Sequence, residues 1–132
     1  MIVVDANVLA YLHLPGPLTR EAQALFARDA DWAVPVLWRS EFRNMLLAYL
    51  RKGLLSLEEA GNIQQEAEEQ LAGSEFQVQS RQVLALAEDS RCSAYDCEYV
   101  ALAMHLDVPL VTMDKQLLKA FPQHAIDLSR RR

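Results

Sequence analysis

Four acidic side chains stand out because their positions suit a catalytic site better than a core or a solvated surface. Asp5 directly follows an apolar run at the N-terminus, and Asp114 comes two residues after another apolar run. Glu41 lies in the most apolar helical stretch of the chain, and Asp96 lies near the start of another. Carboxylates about 4 Å apart repel by roughly 4 kcal/mol at an effective dielectric constant near 20, so a cluster of four needs a cation. Oxygen ligands favour Mg²⁺ or Mn²⁺, and we predict that these four residues hold such an ion.

Each of these acids also has a simpler interpretation on its own. Asp5 and Asp114 could each be a turn residue or a helix N-cap. Glu41 could lie at the boundary of the core, with its carboxylate reaching water. The segment Ser93-Ala-Tyr-Asp96 has the spacing of a capping box, which would explain Asp96 by helix chemistry alone. The set of four, carried by separate elements, is what indicates a shared site.

A carboxylate cluster with a divalent cation is suited to the hydrolysis of phosphodiesters. Such a site activates water and stabilises the charge that develops on the leaving oxygen. Asn7 and Thr112 are predicted to support it by hydrogen bonds to the carboxylates or to phosphate. The histidines at His13, His105 and His124 lie outside these segments, which argues against zinc and against a histidine general base.

The elements that must carry these residues follow from short apolar runs that alternate with helical periodicity. The predicted strands are Ile2–Val4, Trp32–Val34, Phe76–Val78, Leu110–Thr112 and Ala125–Leu128. The predicted helices cover 18–28, 35–51, 56–73, 81–90, 94–106 and 115–120. Strands separated by helices predict a three-layer α/β fold, with a mostly parallel sheet of about five strands and helices on both faces. Ligand sites in such sheets lie beyond the carboxyl ends of the strands, where Asp5 and Asp114 are expected.

Length and composition limit the classes of protein that the chain can represent. Its 132 residues, 52% of them hydrophobic, predict one domain over residues 1–132 with a packed core. The longest uninterrupted apolar runs have six residues, whereas a membrane span needs about 20. Without a basic leader at the N-terminus, a cytoplasmic protein is expected. The net charge of −5 argues against binding nucleic acid through bulk charge, so such a role must come from a local site where a metal inverts the charge.

Other kinds of site find little support in the sequence. The four glycines form no phosphate-binding loop, and no nucleophile elbow is present. Cys92 and Cys97 fit neither a disulfide framework nor a zinc pattern. An aspartyl-phosphate phosphatase also has an aspartate after its first strand, but it needs an acid two residues later as proton donor, where this chain has Asn7. That enzyme class is kept as the alternative, together with a non-catalytic binding module.

Taken together, these segments resemble PIN-domain nucleases from residue 1 to about residue 128. The matching motifs are Asp5-Ala-Asn7, Ser40-Glu41, Tyr95-Asp96 followed by Tyr99-Val-Ala-Leu-Ala103, and Thr112-Met-Asp114. Their spacing is most similar to that of the VapC-type toxins of VapBC toxin–antitoxin pairs. Some family members have a further acid shortly after the fourth motif, whereas this chain has Lys115 and Gln116 there. Glu98 is the alternative candidate for a fifth carboxylate.

The resemblance implies a PIN-like fold and an endoribonuclease that depends on Mg²⁺ or Mn²⁺. It also implies an RNA substrate, a small cognate antitoxin and a homodimer. The residues to which it assigns catalysis and metal binding are Asp5, Glu41, Asp96 and Asp114. We further predict that an antitoxin helix binds beside the site, where Trp38, Phe42 and Tyr49 could leave apolar surface exposed. The alternative is that these aromatic residues belong to the core.

Overall fold

The structure is a computed structural model that describes residues 1–130, so the last two positions of the predicted domain, 131 and 132, lie outside the described residues. The strands are β1 (Ile2–Val4), β2 (Trp32–Pro35), β3 (Glu75–Phe76), β4 (Leu110–Thr112) and β5 (Ala125–Asp127). The helices are α1 (Ala6–His13), α2 (Thr19–Arg28), α3 (Trp38–Arg51), α4 (Leu57–Gln70), α5 (Ser80–Ser90), α6 (Ala94–Leu106) and α7 (Lys115–Ala120). No helix within residues 1–130 is both long and apolar enough to cross a membrane.

The five strands form one sheet in the order β3-β2-β1-β4-β5, and every pairing is parallel. Strand β1 is central, with Val3 opposite Ala33 of β2 and Leu110 of β4. The predicted α/β fold class is therefore confirmed. Because all strands run the same way, their carboxyl ends lie at one edge, which we call the carboxyl edge of the sheet.

Helices cover both faces of this sheet. The strands β1 and β4 are buried along their whole length, as expected for central strands of a parallel sheet. Helices α1 to α4 contact one another and α5 packs on α6, which agrees with right-handed crossovers that place the two groups on opposite faces. Helix α6 packs between α5 and the strands β1, β2 and β4, so its residues from Tyr99 to Ala103 are all buried. A helix enclosed in this way is apolar around most of its circumference.

The structure differs from the predicted elements mainly near the first and third strands. Helix α1 is not predicted by the sequence pattern, because its eight residues are too few to show a clear helical period. It begins directly after β1, with Asp5 as its N-cap. The third strand is Glu75–Phe76 instead of Phe76–Val78, because the register with β2 pairs Glu75 with Val34 and Phe76 with Pro35.

Two of the three aromatic residues predicted for an exposed groove belong to the core instead. Trp38 and Phe42 are both 0% exposed, and their ring centroids are 5.8 Å apart. Tyr49 is partly buried against the same core. The prediction of an exposed apolar surface is therefore wrong for Trp38 and Phe42. Helix α3 directs this face toward α1 and α4.

Candidate active site

Four helix N-termini bring the predicted acids to the carboxyl edge of the sheet. Asp5 caps α1 directly after β1, and Asp114 caps α7 after β4. Glu41 lies in the first turn of α3, and Asp96 lies in the first turn of α6. A helix N-terminus stabilises a negative charge by about 0.3–1 kcal/mol through its free N–H groups and its dipole. The N-cap interpretation of Asp5 and Asp114 is thus correct, and it is compatible with a shared site.

Asp5 and Thr112 connect the ends of the two central strands. Asp5 is only 7% exposed, and its Oδ1 accepts a hydrogen bond from the backbone N–H of Ala6 at 2.7 Å. Its Oδ2 accepts a hydrogen bond from the hydroxyl of Thr112 at 2.7 Å. Thr112 Oγ1 in turn accepts from the backbone N–H of Asp114 at 3.0 Å. Thr112 therefore orients the carboxylate of Asp5 and the backbone at Asp114.

The protonation equilibrium of Asp5 reflects both its burial and its acidic neighbours. Burial raises the pKa of Asp5 from its ordinary value of 3.8 to about 6. The hydrogen bonds from Thr112 and Ala6 oppose this rise because they stabilise the ionised carboxylate. The negative charges of Glu41 and Asp96 raise the pKa further, because both carboxylates are close to Asp5.

This raised pKa predicts how the metal-free protein responds to pH. Between pH 3.8 and about 6, the unfolded chain loses the Asp5 proton while the folded chain keeps it, so stability falls as pH rises. The shift corresponds to about 3 kcal/mol in the free energy of unfolding. Asp5→Asn has no proton to lose at this position, so its stability does not fall in this way as pH rises. We therefore expect the free energy of unfolding of the variant, minus that of the wild type, to increase from pH 3.8 to about 6 and to stay constant above that range.

Urea denaturation in metal-free buffer, at several pH values from about 4 to about 7, measures this difference. The hydrogen bonds lost in the variant change the offset between the two curves but not the pH range of the increase. Asp89→Asn removes an exposed carboxylate of α5 and serves as the matched control. A difference that does not change with pH would contradict the prediction.

Glu41 is held by Tyr99, a residue that sequence reasoning missed. The Tyr99 hydroxyl donates a hydrogen bond to Glu41 Oε1 at 2.6 Å, and Tyr99 is 0% exposed. Burial raises the pKa of Glu41, the hydrogen bond from Tyr99 opposes this, and the charges of Asp96 and Glu98 raise it further. Burial and the charge of Glu41 raise the pKa of Tyr99, so its hydroxyl stays a donor. A signal was available in the sequence, because a tyrosine in an apolar helix needs a partner for its hydroxyl.

Removal of this hydroxyl in Tyr99→Phe is expected to lower the free energy of unfolding by about 1.5–3 kcal/mol, the usual range for a hydrogen bond to a charged group. The carboxylate of Glu41 would then lose its donor in a half-buried position. Urea denaturation measures the loss, and Tyr95→Phe is the matched control because Tyr95 is 63% exposed on the same helix. In a Glu41→Gln background the loss should shrink. An equal loss in both backgrounds would show that Tyr99 acts through packing alone.

Asp96 and Asp114 complete the group at the starts of α6 and α7. Ser93 Oγ accepts a hydrogen bond from the backbone N–H of Asp96 at 3.0 Å, whereas the reciprocal bond of a capping box is not found in residues 1–130. Burial raises the pKa of Asp96, the charge of Asp114 raises it further, and Ser93 opposes the rise. Asp114 Oδ1 accepts from the backbone N–H groups of Gln116 and Leu117 at 2.8 and 3.3 Å. The capping box therefore explains only part of the position of Asp96.

Arg39 is the nearest basic residue before Glu41 in the sequence, but its side chain is bound to other acids. Its Nε and Nη2 donate to the two carboxylate oxygens of Glu75 at 2.6 and 2.7 Å, and its Nη1 donates to Glu68 at 3.0 Å. Trp38 Nε1 also donates to Glu75, at 2.7 Å. These bonds tie the start of α3 to β3 and α4. Within the described chain, no ion pair involves any of the four candidate acids.

The donor chemistry of the cluster suits a divalent cation, although the ligands are not yet assembled around one. The four donors are carboxylates, the ligands preferred by Mg²⁺ and Mn²⁺. Within residues 1–130, no three His, Cys, Asp or Glu side chains are already placed to bind a metal ion. Asn7 forms no hydrogen bond to the four acids in this part of the chain, and its buried Oδ1 has no hydrogen-bond partner there. The side chains would have to move closer together on binding.

Glu98 lies beside this group as a fifth acid. It is half-buried on α6, and burial raises its pKa. Its charge also raises the pKa of Glu41 and of Tyr99, so it is near both. The two residues that follow Asp114, Lys115 and Gln116, supply no acid. Glu98 is therefore the neighbouring carboxylate that adds to the negative charge around Glu41.

Comparison with known proteins identifies relatives along most of the chain. The PIN domain family model matches residues 2–121. The Ribonuclease VapC3 of Pyrobaculum aerophilum is 32% identical over 124 residues, which span 92% of this chain and 95% of that relative. A solved structure from P. aerophilum has a TM-score of 0.75 at 23% identity, covering 96% of this chain and 90% of its own.

Two further solved structures share the fold at lower identity. FitAcB from Neisseria gonorrhoeae has a TM-score of 0.74 at 18% identity, covering 99% of this chain and 100% of its own. A toxin–antitoxin complex from Klebsiella pneumoniae has a TM-score of 0.69 at 17% identity, again covering 99% and 100%. At these identities the structures establish a common fold.

The family match covers the whole region that forms the candidate site. Residues 2–121 include all four acids and every element from β1 to α7. The relative at 32% identity spans nearly the same length. Both findings confirm the resemblance that the sequence motifs indicate. The chain therefore belongs to the PIN-domain family and is a relative of a VapC ribonuclease.

Proposed function

We propose that this chain is an endoribonuclease that depends on Mg²⁺ or Mn²⁺ and hydrolyses RNA phosphodiester bonds. The observation that carries the proposal is the convergence of four carboxylates at helix N-termini, none of which forms an ion pair within the described chain. The choice of RNA is supported by the relative that is named a ribonuclease. The residues proposed to bind the metal and to catalyse the reaction are Asp5, Glu41, Asp96 and Asp114.

The side chains around the cluster hold the carboxylates in place for this reaction. A bound Mg²⁺ or Mn²⁺ would supply a Lewis acid that activates water and neutralises charge on the phosphodiester. The hydroxyl of Thr112 orients Asp5 Oδ2, and the hydroxyl of Tyr99 orients Glu41 Oε1. The first N–H groups of α7 orient Asp114 Oδ1. These hydrogen bonds restrict the rotamers of three of the four carboxylates, so less side-chain ordering remains when the ligands move together around the ion.

The aspartyl-phosphate phosphatase is less well supported, because Asn7 stands where the proton donor would be needed. The non-catalytic module is also less well supported, because all four acids of the site are present.

The proposal includes a biological role as the toxin of a type II toxin–antitoxin pair. The fold is shared with a solved toxin–antitoxin complex, which supports a small antitoxin as the partner. A cytoplasmic location and a homodimer are further parts of the proposal, since the substrate is cellular RNA and related toxins are commonly dimers.

Expression in a bacterial host tests this role. Wild type alone is expected to arrest growth, whereas Asp5→Asn, produced at the same level, should not. Co-expression of the protein from the adjacent short reading frame should restore growth, and the two proteins should co-purify. If wild type is harmless and binds no such partner, the toxin role is wrong, while cleavage of RNA by the purified protein tests the ribonuclease separately.

A further inference from the structure

A groove between α2 and the segment after β5 is lined by arginines, although the chain as a whole is acidic. Its volume is about 700 Å³. The polar and small residues that line it are Arg20, Glu21, Ala24, Arg28, Ser129 and Arg130. We call it the arginine groove. It lies outside the group of four acids, and neither the fold nor the catalytic proposal requires its charges.

The three arginines of the groove are positioned to bind an extended anion. Arg20, Ala24 and Arg28 are four residues apart along α2, so they share one face of the helix. The two arginines of α2 are separated by about 12 Å along the helix axis. Ala24 leaves the space between them open. All three arginines are exposed, and none forms an ion pair within residues 1–130.

The arginine groove starts beside the candidate active site. Leu128 also lines the groove, and its backbone N–H donates to the carbonyl of Thr112 at 3.3 Å. Thr112 is the residue whose hydroxyl binds Asp5. Asp127 Oδ1 accepts hydrogen bonds from the backbone N–H and the hydroxyl of Ser129, at 2.7 and 2.6 Å. The segment that carries Arg130 is therefore fixed next to the carboxyl edge of the sheet.

Glu21 supplies a second, independent sign of a ligand in the groove. Its Oε2 is buried and has no hydrogen-bond partner in the described part of the chain, so the carboxylate must turn into the groove, which Glu21 lines, before a ligand can reach that oxygen. A buried acceptor without a donor costs about 1–3 kcal/mol, more when it is charged, so a bound group that donates a hydrogen bond would be favoured. An all-anionic ligand would be repelled by this carboxylate. A ligand with both phosphates and hydroxyl donors matches the arginines and Glu21 together.

We propose that the arginine groove binds the ribose-phosphate backbone of single-stranded RNA next to the cleavage site. Arg20, Arg28 and Arg130 contact phosphates through charge-assisted hydrogen bonds. Glu21, with its carboxylate turned into the groove, accepts a hydrogen bond from a ribose 2′-hydroxyl, the group by which a protein distinguishes RNA from DNA. This inference rests on the proposed ribonuclease function. It explains how a chain with a net charge of −5 holds a polyanion near a carboxylate cluster.

The test uses a fluorescein-labelled single-stranded RNA of mixed sequence, about 12 nucleotides long. Its binding is measured by fluorescence anisotropy with metal removed and in an Asp5→Asn background, so that cleavage does not interfere. The combined variant R20A/R28A/R130A is expected to bind about ten- to a hundred-fold more weakly. The slope of log Kd against log salt should fall by about 2, since each phosphate contact on a single strand contributes about 0.7.

A matched control removes the same amount of charge elsewhere. Arg51, Lys52 and Arg81 are exposed and lie outside both the groove and the acid cluster, so R51A/K52A/R81A is the control. If this control weakens binding as much as the groove variant does, the proposal is wrong, because only net charge would matter. In the otherwise wild-type chain, the groove variant should raise KM for RNA and leave kcat nearly unchanged. If the groove variant loses affinity for RNA but the wild type cleaves no RNA, the groove proposal is supported and the ribonuclease proposal is contradicted.

The role of Glu21 is tested by comparing RNA with DNA of the same sequence. In Glu21→Ala, loss of a negative charge should tighten the binding of both strands. The preference for RNA should fall about ten-fold, because the acceptor for the 2′-hydroxyl is gone. An unchanged preference would contradict the contact between Glu21 and the ribose. Only variants that circular dichroism shows to be folded are compared, so that unfolding is not mistaken for lost affinity.

Discussion

Asp5→Asn is expected to lower the rate of RNA cleavage by at least about 100- to 1000-fold while the fold is retained. Asparagine is as good an N-cap as aspartate, so helix α1 should still begin at this position. The variant removes the negative charge and one of the two carboxylate oxygens, both of which are fixed by Ala6 and Thr112 in the wild type. The site would lose a metal ligand, so the ion that activates water would be bound less tightly.

Cleavage of a labelled RNA under saturating Mg²⁺ or Mn²⁺ measures this effect, with Asp89→Asn as the matched exposed control. Thermal denaturation without metal is measured in parallel, because relief of repulsion among the acids should raise the melting temperature of Asp5→Asn near neutral pH. A variant that loses stability and keeps full cleavage would show that Asp5 is a structural N-cap and no more.

Removal of divalent metal is expected to abolish cleavage altogether. Without a cation the cluster presents several negative charges, with no basic side chain paired to them within residues 1–130. These charges would repel the phosphodiester and leave the attacking water unactivated. Excess chelator should stop the reaction, and added Mg²⁺ or Mn²⁺ should restore it.

Calorimetry supplies a readout of the metal that does not depend on activity. Wild type should bind Mn²⁺ weakly, because the ligands must move together, whereas Asp5→Asn and Asp114→Asn should bind much less. Circular dichroism in chelator shows whether the protein stays folded. Undiminished cleavage with all divalent metal removed would exclude the proposed mechanism.

The sequence predicted most of the sheet because its strands are short apolar runs with clear boundaries. Ile2–Val4 and Leu110–Thr112 are strands as predicted, since central strands of a parallel sheet are buried on both faces. Parallel connections then place the residues that follow these strands at one edge. Asp5 and Asp114 could be located in this way before any contact was known.

The prediction was less successful where the outcome depends on which elements pack together. Helix α1 is too short for its periodicity to be recognised. Trp38 and Phe42 have the same spacing whether their helix face is buried or exposed, and only its packing against α1 and α4 shows that it is buried. Helix periodicity identifies a face, but it does not identify what covers that face.

The sequence by itself determined where the strands and most of the helices lie and which acids stand at their ends, because apolar runs, N-caps and turns act between near neighbours. Only the tertiary structure decided which residues meet across the chain. The Tyr99 and Glu41 pair spans 58 residues, and the Thr112 and Asp5 pair spans 107. The arginine groove likewise joins α2 to the segment after β5. Such contacts depend on the strand order β3-β2-β1-β4-β5 and on the helices packed over it, which no local pattern encodes.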